Sequence, residues 1–157
     1  MQQGKLIAVC TSPGKGQRKK DVGQGVLVPG FGVEGDGHGG DWHRQVSLLA
    51  LESIEKMRAA GLDVGPGDFA ENLTTEGLDL CSLPLGTLLQ VGKTAVLEIT
   101  QIGKICHERC AIYYQAGDCV MPKEGIFAVV REGGEVARQD RVKVLKLGDG
   151  TTEAVSG

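Results

Sequence analysis

Short apolar runs, each bounded by glycine or polar residues, dominate the hydrophobic pattern of this chain. They are rich in Val, Ile and Leu, and several alternate apolar with polar positions, as residues 96–100 do. Because successive side chains of a strand point to opposite faces of a sheet, this pattern predicts half-buried β-strands. The predicted strands cover residues 5–11, 25–28, 88–91, 95–102, 125–130 and 141–145. Gly133-Gly134 lies between two such runs and predicts a hairpin turn.

One segment has the longer spacing of an amphipathic helix. This predicted helix covers residues 47–60, with Ser47 as its N-terminal cap and Gly61 as its end. Its apolar stripe consists of Leu48, Leu51, Ile54 and Met57. A shorter helix is predicted over residues 108–115. Many short strands, glycine turns and one main helix predict a mainly β protein, built as a barrel or a sandwich.

The 157 residues are enough for one domain with its own hydrophobic core. We place this core at about residues 5–145 and expect the small, polar tail at 148–157 to be flexible. No apolar run is long enough to span a membrane, and the first residues do not have the pattern of a signal peptide. We therefore expect a cytoplasmic protein with no membrane partner.

The charge pattern argues against a nucleic-acid partner. The net charge is −3 and aromatic residues make up 4% of the chain, whereas nucleic-acid-binding surfaces are usually broad, basic and interleaved with aromatics. One basic cluster covers residues 15–20. It is either a solvated loop or a local anion-binding edge.

Five cysteines suggest thiol or metal chemistry more than a disulfide framework, since their number is odd and three of them are crowded together. The crowded ones are Cys106, Cys110 and Cys119. Cys10 and Cys81 stand alone in apolar segments, which predicts that both are small core residues.

Basic residues flank the first two of these cysteines. Lys104, His107 and Arg109 would favour the thiolate, which is the reactive and metal-binding form of cysteine. Three interpretations stay open: a structural zinc site, a redox dithiol, and a single nucleophilic or metal-binding thiolate in a pocket. The second tight pair of zinc ligands is missing, and three residues instead of two separate Cys106 from Cys110. The single thiolate is therefore favoured.

The glycine-rich segment at residues 35–45 gathers five polar groups just before the predicted helix. These are Asp36, His38, His43, Arg44 and Gln45. Glycines allow a backbone to approach a ligand closely, and an arginine beside a helix N-terminus suits an anion. The alternative is a surface loop whose histidines are incidental.

A second polar group, formed by Glu71, Asn72 and Thr74, interrupts an otherwise apolar stretch. A turn or a helix cap would explain it without any function. If it is functional, we expect it near the glycine-rich segment, with Cys106 or Cys110 on another wall of a shared pocket.

Taken in order, these segments resemble the stand-alone bacterial MOSC domains, named after the C-terminal domain of molybdenum cofactor sulfurases. The resemblance covers about residues 5–145 and rests on the order and spacing of several segments: 35–40, 43–47, 71–72, 101–107, 125–130 and 133–134. It implies a barrel of the MOSC or pyruvate kinase β-barrel-like type, with few helices.

The resemblance also implies binding of the molybdenum cofactor (molybdopterin), or carriage of sulfur for it as a persulfide. The implied functional thiol is Cys106 or Cys110, which would be a catalytic residue or a molybdenum ligand, as a cysteine is in the related amidoxime-reducing proteins. The implied cofactor-binding residues are Asp36, His38, His43, Arg44, Gln45, Glu71, Asn72 and Thr74.

Two parts of the larger relatives have no counterpart in these 157 residues. The sulfurases carry a pyridoxal-phosphate desulfurase domain, and the amidoxime reducers carry an N-terminal extension. We therefore expect a partner, either a sulfur donor such as a cysteine desulfurase or a recipient molybdoenzyme, and a sulfurtransferase-like role. The alternatives are a non-catalytic molybdopterin-binding or storage module and a zinc-stabilised interaction domain.

Overall fold

The computed structural model of the protein describes residues 3–13, 19–37, 39–69, 71–102 and 125–150. Within these ranges the chain forms eleven strands, one α-helix and a short 3-10 turn at Leu80–Ser82. The helix is α1 (Leu51–Ala59). The strands are β1 (Gln3–Thr11), β2 (Lys20–Asp21), β3 (Gln24–Val28), β4 (Gly32–Val33), β5 (Val46–Ala50), β6 (Leu73–Glu76), β7 (Leu88–Val91), β8 (Ala95–Ile102), β9 (Ile126–Glu132), β10 (Gly134–Ala137) and β11 (Arg141–Lys146).

Seven strands form a closed barrel. Their order is β1-β6-β5-β9-β8-β7-β11, and β11 pairs again with β1 to close the ring. Neighbouring strands are antiparallel except β5 and β6, whose parallel connection contains α1. The mainly β, barrel-like fold with one main helix is therefore confirmed.

The core follows from the alternation seen in the sequence. In β8, Ala95, Leu97 and Ile99 are buried, while Val96 and Glu98 between them are partly exposed. Buried residues of the other barrel strands meet them in one cluster, which includes Leu6, Leu48, Leu73, Leu89 and Val142. Apolar burial of this kind is the main favourable contribution to folding.

The helix begins four residues later than the sequence predicts. Ser47 lies in β5, and Ala50 precedes the helix without a side-chain cap. Because β5 runs between β6 and β9, four of its five residues are buried, and it lacks the alternation that marks a half-exposed strand. A second core cluster lies under α1: Leu49, Ile54, Met57, Val64, Phe69 and Phe127.

The predicted hairpin at Gly133-Gly134 is wrong. Strand β9 belongs to the barrel, whereas β10 pairs with β3 in a separate sheet ordered β10-β3-β4. A Cβ atom on Gly133 would lie 2.8 Å from the Leu27 carbonyl oxygen. The glycine is needed there for close packing between the sheets.

The predicted helix at 108–115 and residues 151–157 of the predicted tail lie outside the described residues. None of the helices in the described ranges has the length and apolar character needed to cross a membrane.

Candidate functional site

Asp36, in the glycine-rich segment, is buried and fully engaged by the protein. Its Oδ1 lies 2.8 Å from Lys19 Nζ and accepts a hydrogen bond from the Ser12 amide at 3.0 Å. Its Oδ2 accepts a hydrogen bond from Asn72 Nδ2 at 3.1 Å. Only 3% of Asp36 and 5% of Lys19 is exposed, so the two charges form a buried ion pair.

Asn72 connects this ion pair to the barrel. Its Nδ2 also donates to the Cys10 carbonyl at 3.1 Å, and its Oδ1 accepts from the Ser47 amide at 3.0 Å. The segments that meet here are β1, β5, the glycine-rich segment and the turn before β6. We call Ser12, Lys19, Asp36, Ser47 and Asn72 the buried polar network.

The network keeps its carboxylate charged. Burial by itself would raise the pKa of Asp36, but hydrogen bonds from Lys19, Ser12 and Asn72 together hold the pKa below its usual value. These hydrogen bonds offset part of the free-energy cost of burying the two charges. Loss of one partner would leave an uncompensated charge in the interior.

Glu71 is buried close by, with its own partners. Thr74 Oγ1 donates to Glu71 Oε2 at 3.0 Å, and the Phe69 amide donates to Oε1 at 3.3 Å. Burial raises the pKa of Glu71 to about 7, although these hydrogen bonds act in the opposite direction. This carboxyl group therefore titrates near neutral pH.

Gln45 fixes the end of the glycine-rich segment. It is buried, and its Oε1 accepts a hydrogen bond from the Val130 amide of β9 at 2.9 Å. A Cβ atom on Gly32 would overlap the Gln45 carbonyl, and the φ of Gly32 is 126°, so only glycine fits beside this residue. Gln45 thereby sets the direction in which the chain enters β5.

His43 and Arg44 lie at the end of β8. His43 Nε2 is 2.8 Å from Gln101 Oε1, and the Thr100 hydroxyl donates to the His43 carbonyl. The Arg44 guanidinium lies 4.5 Å from the centre of the Trp42 ring and 5.7 Å from that of Phe127. We call Trp42, His43, Arg44, Gln101 and Phe127 the aromatic-basic cluster.

The Arg44 guanidinium has spare hydrogen-bonding capacity. Its Nε is buried and has no hydrogen-bond partner within the described part of the chain. Stacking on aromatic faces satisfies the flat surface of a guanidinium but uses none of its N–H donors. The arrangement is therefore suited to an anionic group that accepts hydrogen bonds.

The structure thus brings the predicted residues together in smaller groups. Asp36 contacts Asn72, Glu71 contacts Thr74, and His43 and Arg44 adjoin each other in the aromatic-basic cluster. His38, Cys106 and Cys110 lie outside the described residues, as do Lys104, His107, Arg109 and Cys119.

Sequence reasoning missed Ser12, Lys19 and Ser47 as members of the network. Lys19 belongs to a run of basic residues that has the composition of a solvated loop, and no local signal distinguishes the one buried lysine. Trp42, the single tryptophan and next to His43, was a signal that could have been used.

The two described cysteines differ from each other. Cys10 is buried as predicted, and burial together with nearby Glu71 raises the pKa of its thiol far above the usual value. Cys81 is exposed, so the prediction of a core residue is wrong for it. It lies in the 3-10 turn, where the adjacent Leu80 and Leu83 take the buried positions.

No group of three or more His, Cys, Asp or Glu residues in the described ranges is arranged to hold a metal ion. Two surface clefts lie elsewhere, one of about 640 Å³ beside Lys93 and Asp140 and one of about 610 Å³ beside Lys56 and Cys81. Of the predicted site residues that the structure describes, none lines either cleft.

The fold is shared with several solved structures. The YuaD protein from Bacillus subtilis superposes with a TM-score of 0.74 at 18% identity, over 89% of this chain and 94% of that one. YiiM from Escherichia coli gives a TM-score of 0.66 at 23% identity, over 96% and 74% of the two chains. YiiM from Geobacillus stearothermophilus gives 0.69 at 16% identity, over 94% and 77%.

Among curated protein sequences, none matches this chain significantly. The model of the MOSC domain family matches residues 34–143, more than half of the chain. The matched region contains the aromatic-basic cluster, Asp36, Asn72 and the segment between β8 and β9. The chain belongs to the MOSC domain family.

Proposed function

We propose that this protein binds the molybdenum cofactor at the aromatic-basic cluster and carries sulfur for it on Cys106 or Cys110. Membership of the MOSC family connects the chain with this cofactor in general terms. The observation that carries the proposal is the buried Arg44 Nε, which lacks a partner among the described residues and lies against the rings of Trp42 and Phe127.

The residues of this cluster fit an anionic pterin cofactor. The Arg44 guanidinium offers N–H groups to a phosphate, and guanidinium–phosphate pairs are strong and directional. The Nε2 of His43 is already hydrogen-bonded to Gln101, so His43 fixes the side of the site. The nearest buried carboxylate of the glycine-rich segment, Asp36, is neutralised by Lys19 and does not repel an anion. The cofactor, when bound, supplies the molybdenum and its redox chemistry.

Asp36, Gln45, Glu71, Asn72 and Thr74 act on the ligand indirectly in this proposal. Each is buried and hydrogen-bonded to the protein. Their role is to fix the glycine-rich segment and the turn before β6, so that His43 and Arg44 face the ligand. His38 stays a proposed contact of the cofactor.

Chain connectivity supports the proposal for Cys106, which follows the strand β8 at this end of the barrel. Gln101 contacts His43, and Ile102 pairs with Ile126 at the last rung between β8 and β9. Four residues beyond Ile102, Cys106 is at most about 14 Å from it along the chain.

The sulfur step needs a donor that the chain does not contain. The thiolate of Cys106 or Cys110 attacks the outer sulfur of a persulfide on a cysteine desulfurase. The S–S bond of the donor breaks, its cysteine leaves as a thiolate, and a new persulfide remains on this chain. No net oxidation occurs, because the outer sulfur is transferred at its existing oxidation level.

The cofactor arm of the test uses the full chain purified from cells grown with molybdate. Oxidation of a bound pterin to its fluorescent form measures the amount of cofactor per protein. Arg44→Gln should lower this amount by about tenfold, since a hydrogen bond to a charged group is worth about 1.5–3 kcal/mol. The matched control is Arg131→Gln, at the partly exposed ion pair with Glu98. Equal pterin in both variants would contradict the cofactor site.

The sulfur arm uses intact-mass analysis after incubation with a cysteine desulfurase and free cysteine. The wild-type chain should gain the mass of one sulfur atom, and either Cys106→Ser or Cys110→Ser should abolish this gain. Sulfur on neither cysteine would contradict sulfur carriage but leave cofactor binding intact. Bound pterin without any sulfur transfer would indicate the storage role instead.

A further inference from the structure

The outer face of β1 and β11 carries a concentration of positive charge. Lys5 on β1 lies directly opposite Arg141 on β11, and Gln3 lies opposite Lys143. Partners in an antiparallel register point to the same side of the sheet, and all four residues are exposed. Lys146 follows on the same strand and is also exposed.

This arrangement costs the barrel stability. Like charges directly opposite each other destabilise a sheet. Lys5 also faces Glu76 on β6, which offsets one charge, but no ion pair among the described residues engages Arg141, Lys143 or Lys146. The whole chain has a net charge of −3, so these cations oppose its overall charge. The stability of the barrel therefore does not explain why these cations lie together where β1 pairs with β11, and we look for a binding role.

Two large apolar side chains adjoin this face at the end of β11. Leu145 is 43% exposed and Leu147 is 52% exposed. Leu145 lies at a register shift between Val144 and Lys146, and Leu147 directly follows the strand, so both leucines adjoin the cations along the chain. The described residues contain four exposed large hydrophobics, and two of them lie here, beside the cations. We call Lys5, Arg141, Lys143, Leu145 and Leu147 the basic face.

We propose that the basic face is a docking surface for an acidic protein partner that also presents an apolar group. The cations would steer the partner, and the two leucines would give up their exposed area on contact. This proposal is independent of cofactor binding, since none of its residues belongs to the aromatic-basic cluster.

The chemistry of the face favours this partner over a second copy of the chain. A two-fold dimer formed through this face would bring Arg141 and Lys143 against the same cations of the other copy. Exposed leucines also favour a protein partner over a nucleic acid. Protein surfaces that bind nucleic acids combine cations with aromatic side chains, in grooves that follow the phosphate backbone. An anionic lipid surface is tested separately below.

The test uses the full chain, labelled with ¹⁵N, and a synthetic peptide of repeated Glu-Glu-Leu sequence as the probe. At low ionic strength the peptide should shift the amide signals of residues 3–5 and 141–147. The shifts should weaken at about 0.15 M salt, where charges are screened beyond about 8 Å. Shifts confined to other residues, or no shifts, would overturn the proposal.

Two pairs of variants distinguish the effect of charges on the basic face from the effect of the net charge of the protein on peptide binding. Arg141→Glu/Lys143→Glu should weaken peptide binding by about tenfold or more, since several charge pairs are reversed. The control Lys20→Glu/Lys93→Glu makes the same change in net charge at exposed positions elsewhere and should change affinity less than about twofold. If both pairs of substitutions weakened peptide binding equally, the proposal would be overturned. If the glutamate pair fails to fold, Arg141→Gln/Lys143→Gln supplies the same comparison with Lys20→Gln/Lys93→Gln.

The apolar half of the face and the other occupants are tested with the same protein. Leu145→Ser/Leu147→Ser should weaken binding of the Glu-Glu-Leu peptide severalfold and leave binding of a leucine-free glutamate peptide unchanged. Binding of phosphatidylserine vesicles or of a single-stranded oligonucleotide, without binding of the peptide, would overturn the acidic-protein assignment. Self-association that Arg141→Glu/Lys143→Glu abolishes, measured by sedimentation, would overturn it in favour of a dimer.

Discussion

The fold changes the protonation of Glu71 within the range of pH near neutrality. Burial raises its pKa from an ordinary value of 4.5 to about 7. Between pH 4.5 and about pH 7, Glu71 holds a proton in the folded protein that it has released in the unfolded chain. Its contribution to stability is therefore fully present below about pH 4.5 and is lost as the pH rises through about 7.

Glu71→Gln should remove this pH dependence. Glutamine resembles the protonated carboxyl group, so the variant should gain stability relative to wild type as the pH rises from 5 to 8. The full difference is on the order of 3 kcal/mol, from the size of the pKa shift. Urea unfolding at a series of pH values measures it. If the free energy of unfolding changed with pH in the same way for both proteins, Glu71 would not titrate in this range.

The Lys19–Asp36 pair acts as a unit, because each buried charge depends on the other. Asp36→Asn should destabilise the protein by about 3–5 kcal/mol, since it leaves the Lys19 ammonium buried without a counter-charge. Lys19→Met/Asp36→Leu should recover much of this loss, because neither charge remains. Urea unfolding of Lys19→Met, Asp36→Leu and the double variant gives the coupling energy.

The ion pair between Arg131 and Glu98 is the control for this experiment. Its N···O distance of 2.7 Å is similar, but 43% of the arginine side chain is exposed. Glu98→Gln should therefore cost about 1 kcal/mol or less. If Asp36→Asn cost no more than Glu98→Gln, the interior around Lys19 would have to be solvated, and the positioning role of the network would fail.

At the scale of elements, the sequence predicts strands best where one face is buried and the other exposed. The predicted bounds of 88–91 and 95–102 match β7 and β8, both of which alternate. Strands β5 and β6 were missed for opposite reasons. Four consecutive residues of β5, three of them apolar, are buried together, whereas β6 buries Thr74 and Thr75, which local hydrophobicity does not mark as core.

The same limit applies to the site. Asp36, Asn72 and Arg44 were proposed as site residues from the sequence because they are polar residues in glycine-rich or apolar surroundings. Their partners were not found, because the contacts join residues far apart in the chain. Asn72 reaches Cys10 across 62 positions and His43 reaches Gln101 across 58. Pairing over such distances depends on the barrel topology, which a local pattern does not contain.

At the scale of the whole molecule, the barrel is closed by the first and last strands. Gly4 lies opposite Val142 at this seam and also packs against β6. A Cβ atom on Gly4 would meet the Glu76 carbonyl oxygen at 2.5 Å and Leu78 Cβ at 3.0 Å. Because these neighbours belong to the backbone and the core, they have little freedom to move aside.

Gly4→Ala should therefore destabilise the whole protein by about 1–3 kcal/mol, the usual cost of overpacking, and lower its unfolding midpoint in urea. Gly65→Ala is the matched control, since its new Cβ would meet only the flexible end of Arg58 at 3.3 Å. That variant should stay within about 0.5 kcal/mol of wild type, as most surface changes do. If Gly4→Ala were as stable as Gly65→Ala, β1 would have to move away from β6 without cost. The close packing at the seam would then not be what keeps the barrel closed.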